Sequence, residues 1–293
     1  MFCTFNIRSI IRGFATGLVL FVAANHVDAG DVRIEKDVAY LGPDRKEKSD
    51  LYLPPAGDTK AKYPGVVIIH GGGWTGGDKG AAREQNIGNT LASHGYVCMS
   101  INYMLQPKEG PRIWPQNLYD CKTAVRWLRA NAERLQIDKD HIGVIGGSAG
   151  GHLAAMVGVT GPESNLDPAS PYENESSAVQ AVIDLYGPIA HTERWSQTLV
   201  GKPCSEAPEL CKQVTPISHL DKNDPPVLIL HGTADTTVDL SDSQDFDKAL
   251  EAAGVKHELI VIEGAPHTFH LQPKQRDLRP TVLGFLDTYL KPR

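Results

Sequence analysis

The stretch Val144-Ile145-Gly146-Gly147-Ser148-Ala149-Gly150-Gly151-His152 decides the fold. The apolar, mostly β-branched residues 142–145 suit a buried strand, and the small and apolar residues 150–156 suit the start of a helix. Gly146 and Gly150 permit a turn too tight for residues with a Cβ atom, which lifts the hydroxyl of Ser148 above the edge of the sheet. The helix would direct its first N–H groups at this hydroxyl and favour negative charge there. We therefore identify Ser148 as a candidate nucleophile.

A glycine-flanked serine alone is weak evidence for a catalytic nucleophile, so the sequence must also supply a base and an acid to act with it. A nucleophilic serine needs a base, and the base needs a carboxylate that fixes its tautomer. For a strand-turn-helix serine the expected chain order is Ser, Asp or Glu, then His. Asp235 follows the strand predicted at 227–230, and His267 follows the strand predicted at 258–262. Because parallel strands end at one edge of a sheet, both side chains are predicted to lie near Ser148.

Other acids and histidines compete for these roles. Asp242 falls in the N-cap region of the next helix, and Asp239 lies further along the loop, so Asp235 is favoured. His270 lies close to His267, which comes first after the strand and follows a proline that stiffens its approach. Three further histidines are interpreted as packing or loop-bracing residues: His70, His152 and His231.

The run His70-Gly71-Gly72-Gly73 follows a strand predicted at 65–69 and precedes the serine turn in the chain. Glycine N–H groups can approach a ligand closely, so Gly72 and Gly73, with Ala149 at the helix start, are candidate oxyanion donors. A merely flexible turn is the alternative. Residues 76–79, which come next, lack the spacing of a phosphate-binding loop. Asp78 is predicted to hold residues 76–79 in place.

The order of elements indicates an α/β fold. Two strand candidates, 32–41 and 49–53, flank a Gly-Pro-Asp turn and suit antiparallel edge strands. Strands and helices then alternate, which predicts a doubly wound, mostly parallel sheet. The predicted segments are strands at 65–69, 96–101, 142–145, 179–185, 227–230 and 258–262, and helices at 84–94, 116–135, 242–253 and 278–290.

The interval 187–224 interrupts this alternation, with several prolines and little periodicity. It is either a small cap over the site or a surface loop. Cys204 and Cys211 bracket a short polar loop within it and are predicted to form a disulfide in an exported chain. Cys98 and Cys121 lie in apolar segments and are predicted to be buried free cysteines.

The first residues are predicted to be a signal peptide, with Arg8 and Arg12 before a short apolar stretch and a cleavage site after Ala29. An uncleaved membrane anchor is the alternative. Residues 30–293 are then predicted to form a single catalytic domain that is secreted or periplasmic and not stably inserted in a membrane. The net charge of −6 argues against a nucleic-acid partner, and the cysteine and histidine spacing predicts no metal site.

On these motifs the chain resembles the α/β-hydrolase superfamily over nearly all of residues 30–293, and in particular the H-G-G-G esterases related to hormone-sensitive lipase. The His70–Trp74 run, the 146–152 motif and residues 265–269 are more similar still to secreted acetyl-xylan and feruloyl esterases. The cysteine-containing interval 187–224 departs from that pattern, and this sequence predicts no large N-terminal helical cap of the kind that many lipase-like members have.

The resemblance implies hydrolysis of a small ester or an esterified carbohydrate, with no cofactor, by a Ser148–His267–Asp235 triad. Trp74 and Trp114 lie in loops beside the expected site and are candidates for binding a sugar or feruloyl ring, or else loop anchors. An arylformamidase-like or peptidase-like hydrolase is an alternative, and a non-catalytic binding module is another. The acyl group, the alcohol and the oligomeric state are not predicted.

Overall fold

The structure is a computed structural model that describes residue 1 and residues 31–57, 61–190 and 192–291. The predicted signal segment therefore lies outside the described residues, apart from Met1. In the described part, one sheet of eight strands forms the centre of the molecule, in the order β1-β2-β4-β3-β5-β6-β7-β8. These strands are β1 Arg33–Ala39, β2 Lys48–Leu53, β3 Tyr63–Ile69, β4 Val97–Ile101, β5 Ile137–Gly147, β6 Ala181–Leu185, β7 Val227–Gly232 and β8 His257–Ile262.

The direction of the strands confirms the predicted sheet. β1 pairs with β2, and β2 with β4, in antiparallel fashion, whereas the pairs from β4 through β8 are parallel. β5 lies in the interior of the sheet between β3 and β6. The carboxyl ends of β3, β5, β7 and β8 consequently meet at one edge, each followed by a loop that carries a candidate site residue.

Helices cover both faces of the sheet: α1 Ala82–Ala92, α2 Gln116–Ala130, α3 Ala132–Leu135, α4 Ala149–Val159, α5 Ser196–Leu199, α6 Pro208–Val214, α7 Leu240–Ala253 and α8 Arg279–Leu290. Alternate residues of β3 show why two layers are needed. Val67 packs into a core cluster with residues of α2, α4 and α7, while Val66 packs into a second cluster with residues of α1 and α8. Both faces of the strand are therefore buried, as expected for a doubly wound sheet.

Several element boundaries differ from the sequence predictions, and three examples are informative. The helix predicted over 116–135 is interrupted at Asn131, and the short α3 ends at Gln136 in the left-handed region with φ +55°. β5 begins at Ile137, five residues before the predicted start at 142. β6 begins at Ala181 rather than at 179. Each difference lies at the end of an element, where local hydrogen bonds outweigh the hydrophobic pattern.

The 187–224 segment contains more regular structure than its sequence suggested. Besides α5 and α6 it forms 3₁₀ turns at Thr192–Trp195 and Pro216–His219. The predicted Cys204–Cys211 disulfide is present. Cys98 and Cys121 are free and buried, also as predicted.

The 187–224 segment packs on the loops beside the sheet edge. The Val214 carbonyl contacts His152 Nε2 at 2.7 Å, and Trp114 Nε1 donates to Gln213 Oε1 at 2.9 Å. Asp242 accepts hydrogen bonds from the N–H groups of Ile189 and Ala190, which fixes the start of the segment to α7. Within the described part of the chain, no helix combines the length and apolar character that a bilayer crossing requires.

Candidate active site

Ser148 lies on the turn between β5 and α4, with φ +58° and ψ −125°. This conformation is strained for a residue with a side chain and occurs where surrounding structure enforces it. Neighbouring backbone does so here: a Cβ atom on Gly146 would lie 2.1 Å from the Gly150 carbonyl oxygen. The Ser148 N–H donates to the Leu185 carbonyl at 2.8 Å, which anchors the turn to β6. The hydroxyl is thereby presented at the carboxyl edge of the sheet.

The structure brings Ser148, His267 and Asp235 into a hydrogen-bonded series. His267 Nε2 lies 3.0 Å from Ser148 Oγ, and His267 Nδ1 lies 2.6 Å from Asp235 Oδ2. With the carboxylate accepting the Nδ1 proton, Nε2 is left as the acceptor for the serine hydroxyl. The arrangement can remove a proton from Ser148 as the hydroxyl attacks a substrate.

Asp235 is held as a buried carboxylate, with 1% of its side chain exposed. Its Oδ1 accepts the N–H groups of Thr237 at 2.8 Å and Val238 at 3.0 Å. His231 Nε2 lies 3.3 Å from Asp235 Oδ2 and 3.0 Å from the Val238 carbonyl, and its Nδ1 lies 2.7 Å from Ser243 Oγ. His231 therefore braces the Asp235 loop, as its sequence position suggested.

The competing residues make other contacts. Asp239 is exposed and faces Arg194 at 3.4 Å, and Asp242 bonds the backbone of the 187–224 segment. His270 is exposed, and its Nδ1 accepts the Gln272 N–H at 3.0 Å. His152 is fully buried, and burial lowers its pKa to about 4. None of these four side chains has a hydrogen bond to Ser148 among the described residues.

The glycine run of residues 71–73, named here the oxyanion loop, lies directly against the serine turn. A Cβ on Gly71 would lie 2.7 Å from the Gly147 carbonyl oxygen and 3.1 Å from Ser148 Cβ. Gly72 and Gly73 have φ of +113° and +58°, which glycine tolerates best. A Cβ on Gly73 would meet nothing within 4 Å, so that position borders open space.

His70 holds the oxyanion loop, and Asp78 holds residues 76–79, which follow it. His70 Nδ1 contacts the Gly71 carbonyl at 2.7 Å, its ring stacks on Tyr103 at 4.4 Å, and burial lowers its pKa to about 4. Asp78 accepts the Gly80 N–H at 2.7 Å and Asn102 Nδ2 at 2.9 Å. His70 therefore braces the oxyanion loop and Asp78 the stretch 76–79, as the sequence predicted.

The expectation of an aromatic substrate surface at Trp74 is wrong. Trp74 is 1% exposed, and its ring packs edge-on against His152 at 5.2 Å and Trp195 at 6.1 Å. Its position directly after the glycine loop could not reveal that the 187–224 segment covers it. Trp74 is therefore a loop anchor, whereas Trp114 is only partly buried and keeps its candidate role.

A cleft of about 530 Å³ opens beside Ser148 and His267 and extends along the oxyanion loop to the start of α1. A larger cavity of about 850 Å³ lies beyond the end of α4, near Glu163 and Asp224, and contains none of the candidate site residues. The smaller cleft is therefore the candidate substrate site, because it is the one that borders the candidate nucleophile and base.

Sequence reasoning missed Arg83 and Glu84, which line this cleft, and the buried Tyr186, whose hydroxyl accepts a hydrogen bond from Arg83. Tyr186 directly follows β6, so the strand-end rule that located Asp235 and His267 could have found it. Arg83 and Glu84 gave no such signal, because they begin a helix. Burial raises the pKa of the Glu84 carboxyl, against the opposing effect of the Arg83 charge.

Comparison with known proteins points to esterases. The BD-FAE family profile matches residues 49–250. A truncated carbohydrate esterase from gut microbiota is 28% identical, with a TM-score of 0.79 over 89% of this chain and 97% of that one. The butyrate-bound esterase Est2 of Thermogutta terrifontis is 26% identical, with a TM-score of 0.71 over 91% and 97% of the two chains.

Among curated relatives, esterase LipC of Mycobacterium tuberculosis is 30% identical over 71% of this chain. This chain spans 53% of the length of LipC, and 56% and 61% of two further esterases of that organism. The relatives are thus longer proteins that share this domain-sized region.

Proposed function

The chain belongs to the BD-FAE family, and on that premise we propose that it is a serine carboxylic ester hydrolase. One observation carries the proposal: Ser148 Oγ, His267 and Asp235 are joined by contacts of 3.0 and 2.6 Å at the edge of the cleft. The esterase names of the relatives support the same reaction class.

In the proposed mechanism, His267 Nε2 takes the proton of Ser148 as Oγ attacks the acyl carbonyl. Asp235 stabilises the imidazolium that results and keeps the ring in register. The imidazolium then protonates the leaving alcohol, which departs and leaves an acyl-serine. Water, deprotonated by His267 in turn, attacks the acyl-serine, releases the acid and restores the serine.

The oxyanion of each tetrahedral intermediate needs fixed N–H donors. We assign this role to the backbone N–H groups of Gly72, Gly73 and Ala149. The contact of Gly71 with the serine turn and the open space at Gly73 support this assignment. Ala149 also begins α4, whose aligned peptide dipoles favour negative charge at that end.

For the substrate we propose acetyl or feruloyl groups on polysaccharide, or similar short-chain esters, in a secreted or periplasmic setting. The carbohydrate esterase among the structural neighbours supports the sugar part, and the butyrate-bound neighbour supports a short acyl chain. The Cys204–Cys211 disulfide supports an oxidising compartment, where disulfides persist. Trp114 is the proposed contact for a sugar or aromatic ring.

The test is acid release from a matched set of substrates: acetylated xylan, acetylated pectin, a feruloylated arabinoxylan fragment, short and long p-nitrophenyl esters, and N-formylkynurenine. Wild type is compared with Ser148→Ala and with Ser93→Ala, which removes an exposed serine hydroxyl at the C-cap of α1 and controls for the substitution. We expect Ser148→Ala alone to abolish release.

The outcomes separate mechanism from substrate. Release that survives Ser148→Ala contradicts the mechanism. Turnover confined to the formamide or the long-chain ester contradicts the substrate assignment and leaves the serine mechanism intact. Release from a polysaccharide that exceeds both supports the full proposal and identifies the acyl group.

A further inference from the structure

The Arg83 guanidinium lies beside the candidate active site, with 9% of its side chain exposed. Its Nε donates to Glu84 Oε1 at 2.8 Å, and its Nη2 also contacts this oxygen. Its Nη1 donates to the hydroxyl of Tyr186 at 2.9 Å. Because one plane carries all these donors, the bonds fix the orientation of the whole group.

The same guanidinium fills the space left by two glycines that flank the reacting groups. A Cβ atom on Gly147 would lie 2.3 Å from Arg83 Nη1, and one on Gly71 would lie 3.4 Å from Nη2. Gly147 precedes Ser148 in the serine turn, and Gly71 begins the oxyanion loop. Arg83 therefore packs against both loops at once and limits how far either can shift toward it.

Tyr186 connects Arg83 to a third loop, the one that carries His267. Its hydroxyl donates to the Phe269 carbonyl at 2.8 Å, and its ring packs edge-on against His267 at 4.7 Å and Phe269 at 4.5 Å. Tyr186 has φ +46°, a conformation that is costly for a bulky residue. Such strain persists where surrounding contacts enforce it, as between His267 and Arg83 here.

The charges around Arg83 argue against a simple anion-binding role. Glu84 neutralises the guanidinium directly, and Asp78 lines the same cleft. Three of the five N–H groups of Arg83 are committed to Glu84 and Tyr186. These bonds suit a group whose task is to hold other groups in place.

We propose that Arg83, acting with Tyr186, is a positioning residue that holds the serine turn, the oxyanion loop and the His267 loop in catalytic register. This inference rests on the proposed ester hydrolysis at Ser148. Displacement of reacting groups by about 1 Å can cost roughly 100-fold in rate. Arg83 thus acts on the rate of the chemical step rather than on substrate affinity.

The test compares Arg83→Met, Arg83→Lys, Tyr186→Phe and the double variant Arg83→Met/Tyr186→Phe with wild type on p-nitrophenyl acetate. Arg126→Met is the matched control, since Arg126 is another buried arginine, bonded to Asp167 at 2.7 Å, and it does not line the cleft. Circular dichroism and thermal melting confirm that each variant is folded at the assay temperature.

We expect Arg83→Met to lower kcat by about 10- to 100-fold with little change in KM. Arg83→Lys recovers part of the rate, because it restores a cation without the planar fork. Tyr186→Phe loses less, and the double variant is no slower than Arg83→Met, since both changes break one connection. Arg126→Met leaves kcat unchanged while it lowers stability.

The positioning role is rejected if Arg83→Met raises KM at constant kcat, or if its kcat falls no further than that of Arg126→Met. It is also rejected if the losses of kcat in Arg83→Met and Tyr186→Phe are additive in the double variant. A second readout is the rate at which a fluorophosphonate labels Ser148, followed by mass spectrometry. Slower labelling in Arg83→Met supports the positioning role even if the wild-type protein hydrolyses none of the esters. Absence of ester hydrolysis by wild type would reject only the proposed function.

Discussion

At the scale of single residues, the site depends on glycines, which have no Cβ atom, as much as on the side chains of the triad. Gly150 lies where α4 meets β3, and a Cβ there would be 2.2 Å from the Ile69 carbonyl oxygen and 2.6 Å from that of His70. These are backbone atoms, which cannot rotate away. The close approach lets α4 begin directly under Ser148, so helix and nucleophile share one turn.

Gly150→Ala is therefore expected to lower stability by roughly 1–3 kcal/mol through overpacking and to reduce kcat as well. Gly284→Ala is the control, because a Cβ there meets nothing within 4 Å and the residue lies inside α8. That change is expected to raise stability by about 0.5–1 kcal/mol. Urea denaturation measures both, and equal effects of the two substitutions would contradict the packing argument.

The choice between Asp235 and Asp239 is a second matter of single residues. Asp235→Asn removes the charge that stabilises the His267 imidazolium and disturbs its tautomer, so kcat is expected to fall by about 10²–10⁴-fold. Asp239→Asn, at an exposed side chain that faces Arg194, is expected to leave kcat within about two-fold because surface ion pairs contribute little. Steady-state kinetics on one short ester distinguish them; comparable losses would reassign the acid.

At the scale of elements, the sequence predicted what long-range burial controls and missed what local bonds control. The strand at 227–230 and the helix at 242–253 were predictable because their apolar residues recur at regular spacing, and both are present with small shifts. The break at Asn131 was not predictable, since it depends on backbone bonds to Trp127 and Arg129. The burial of Trp74 depended on a distant segment.

The 187–224 segment offers a test at this scale. Cys204 and Cys211 are seven residues apart, and a loop of this size is expected to contribute about 2–3 kcal/mol through chain entropy. Replacing both by serine should lower the thermal midpoint, and dithiothreitol should lower that of wild type to a similar value. The double variant itself should not respond to dithiothreitol. A midpoint of wild type that is indifferent to reductant would show that the crosslink contributes nothing to stability.

At the scale of the whole molecule, the sheet edge explains why so much of the site was predictable. Ser148, Asp235 and His267 all follow strands that the pattern identified, so the parallel topology alone places them on one edge. Arg83 escaped because its importance comes from contacts between loops, which no periodicity records, whereas Tyr186 directly follows β6 and the same strand-end rule could have found it. The parts that depend on topology are thus predictable, and those that depend on mutual contact are not.

The buried ionisable groups set how the stability of the whole fold depends on pH. Burial raises the pKa of Asp184 to about 8, so between about pH 4 and 8 the folded state keeps a proton that the unfolded chain releases. This contribution to stability is present at low pH and is lost as pH rises through that window. Burial lowers the pKa of His70 and of His152 to about 4, so their contribution is present above about pH 6.5 and is lost as pH falls toward 4.

The two effects together predict greatest stability near pH 6.5, with a decline toward pH 8 that approaches about 1.4 kcal/mol per pH unit for one proton. Asp184→Asn should remove the decline between pH 6.5 and 8 and steepen the loss of stability between pH 6.5 and 4, because the variant has no carboxyl at this position that titrates in either range. The amide oxygen can still accept the Gly187 N–H that Asp184 Oδ1 now accepts at 2.9 Å, so this hydrogen bond is kept. Urea midpoints at pH 5, 6.5 and 8 measure this, with the partly exposed Asp138→Asn as control. An alkaline decline that persists in Asp184→Asn would mean that another group releases the proton, and that the buried carboxyl at the end of β6 is ionised throughout.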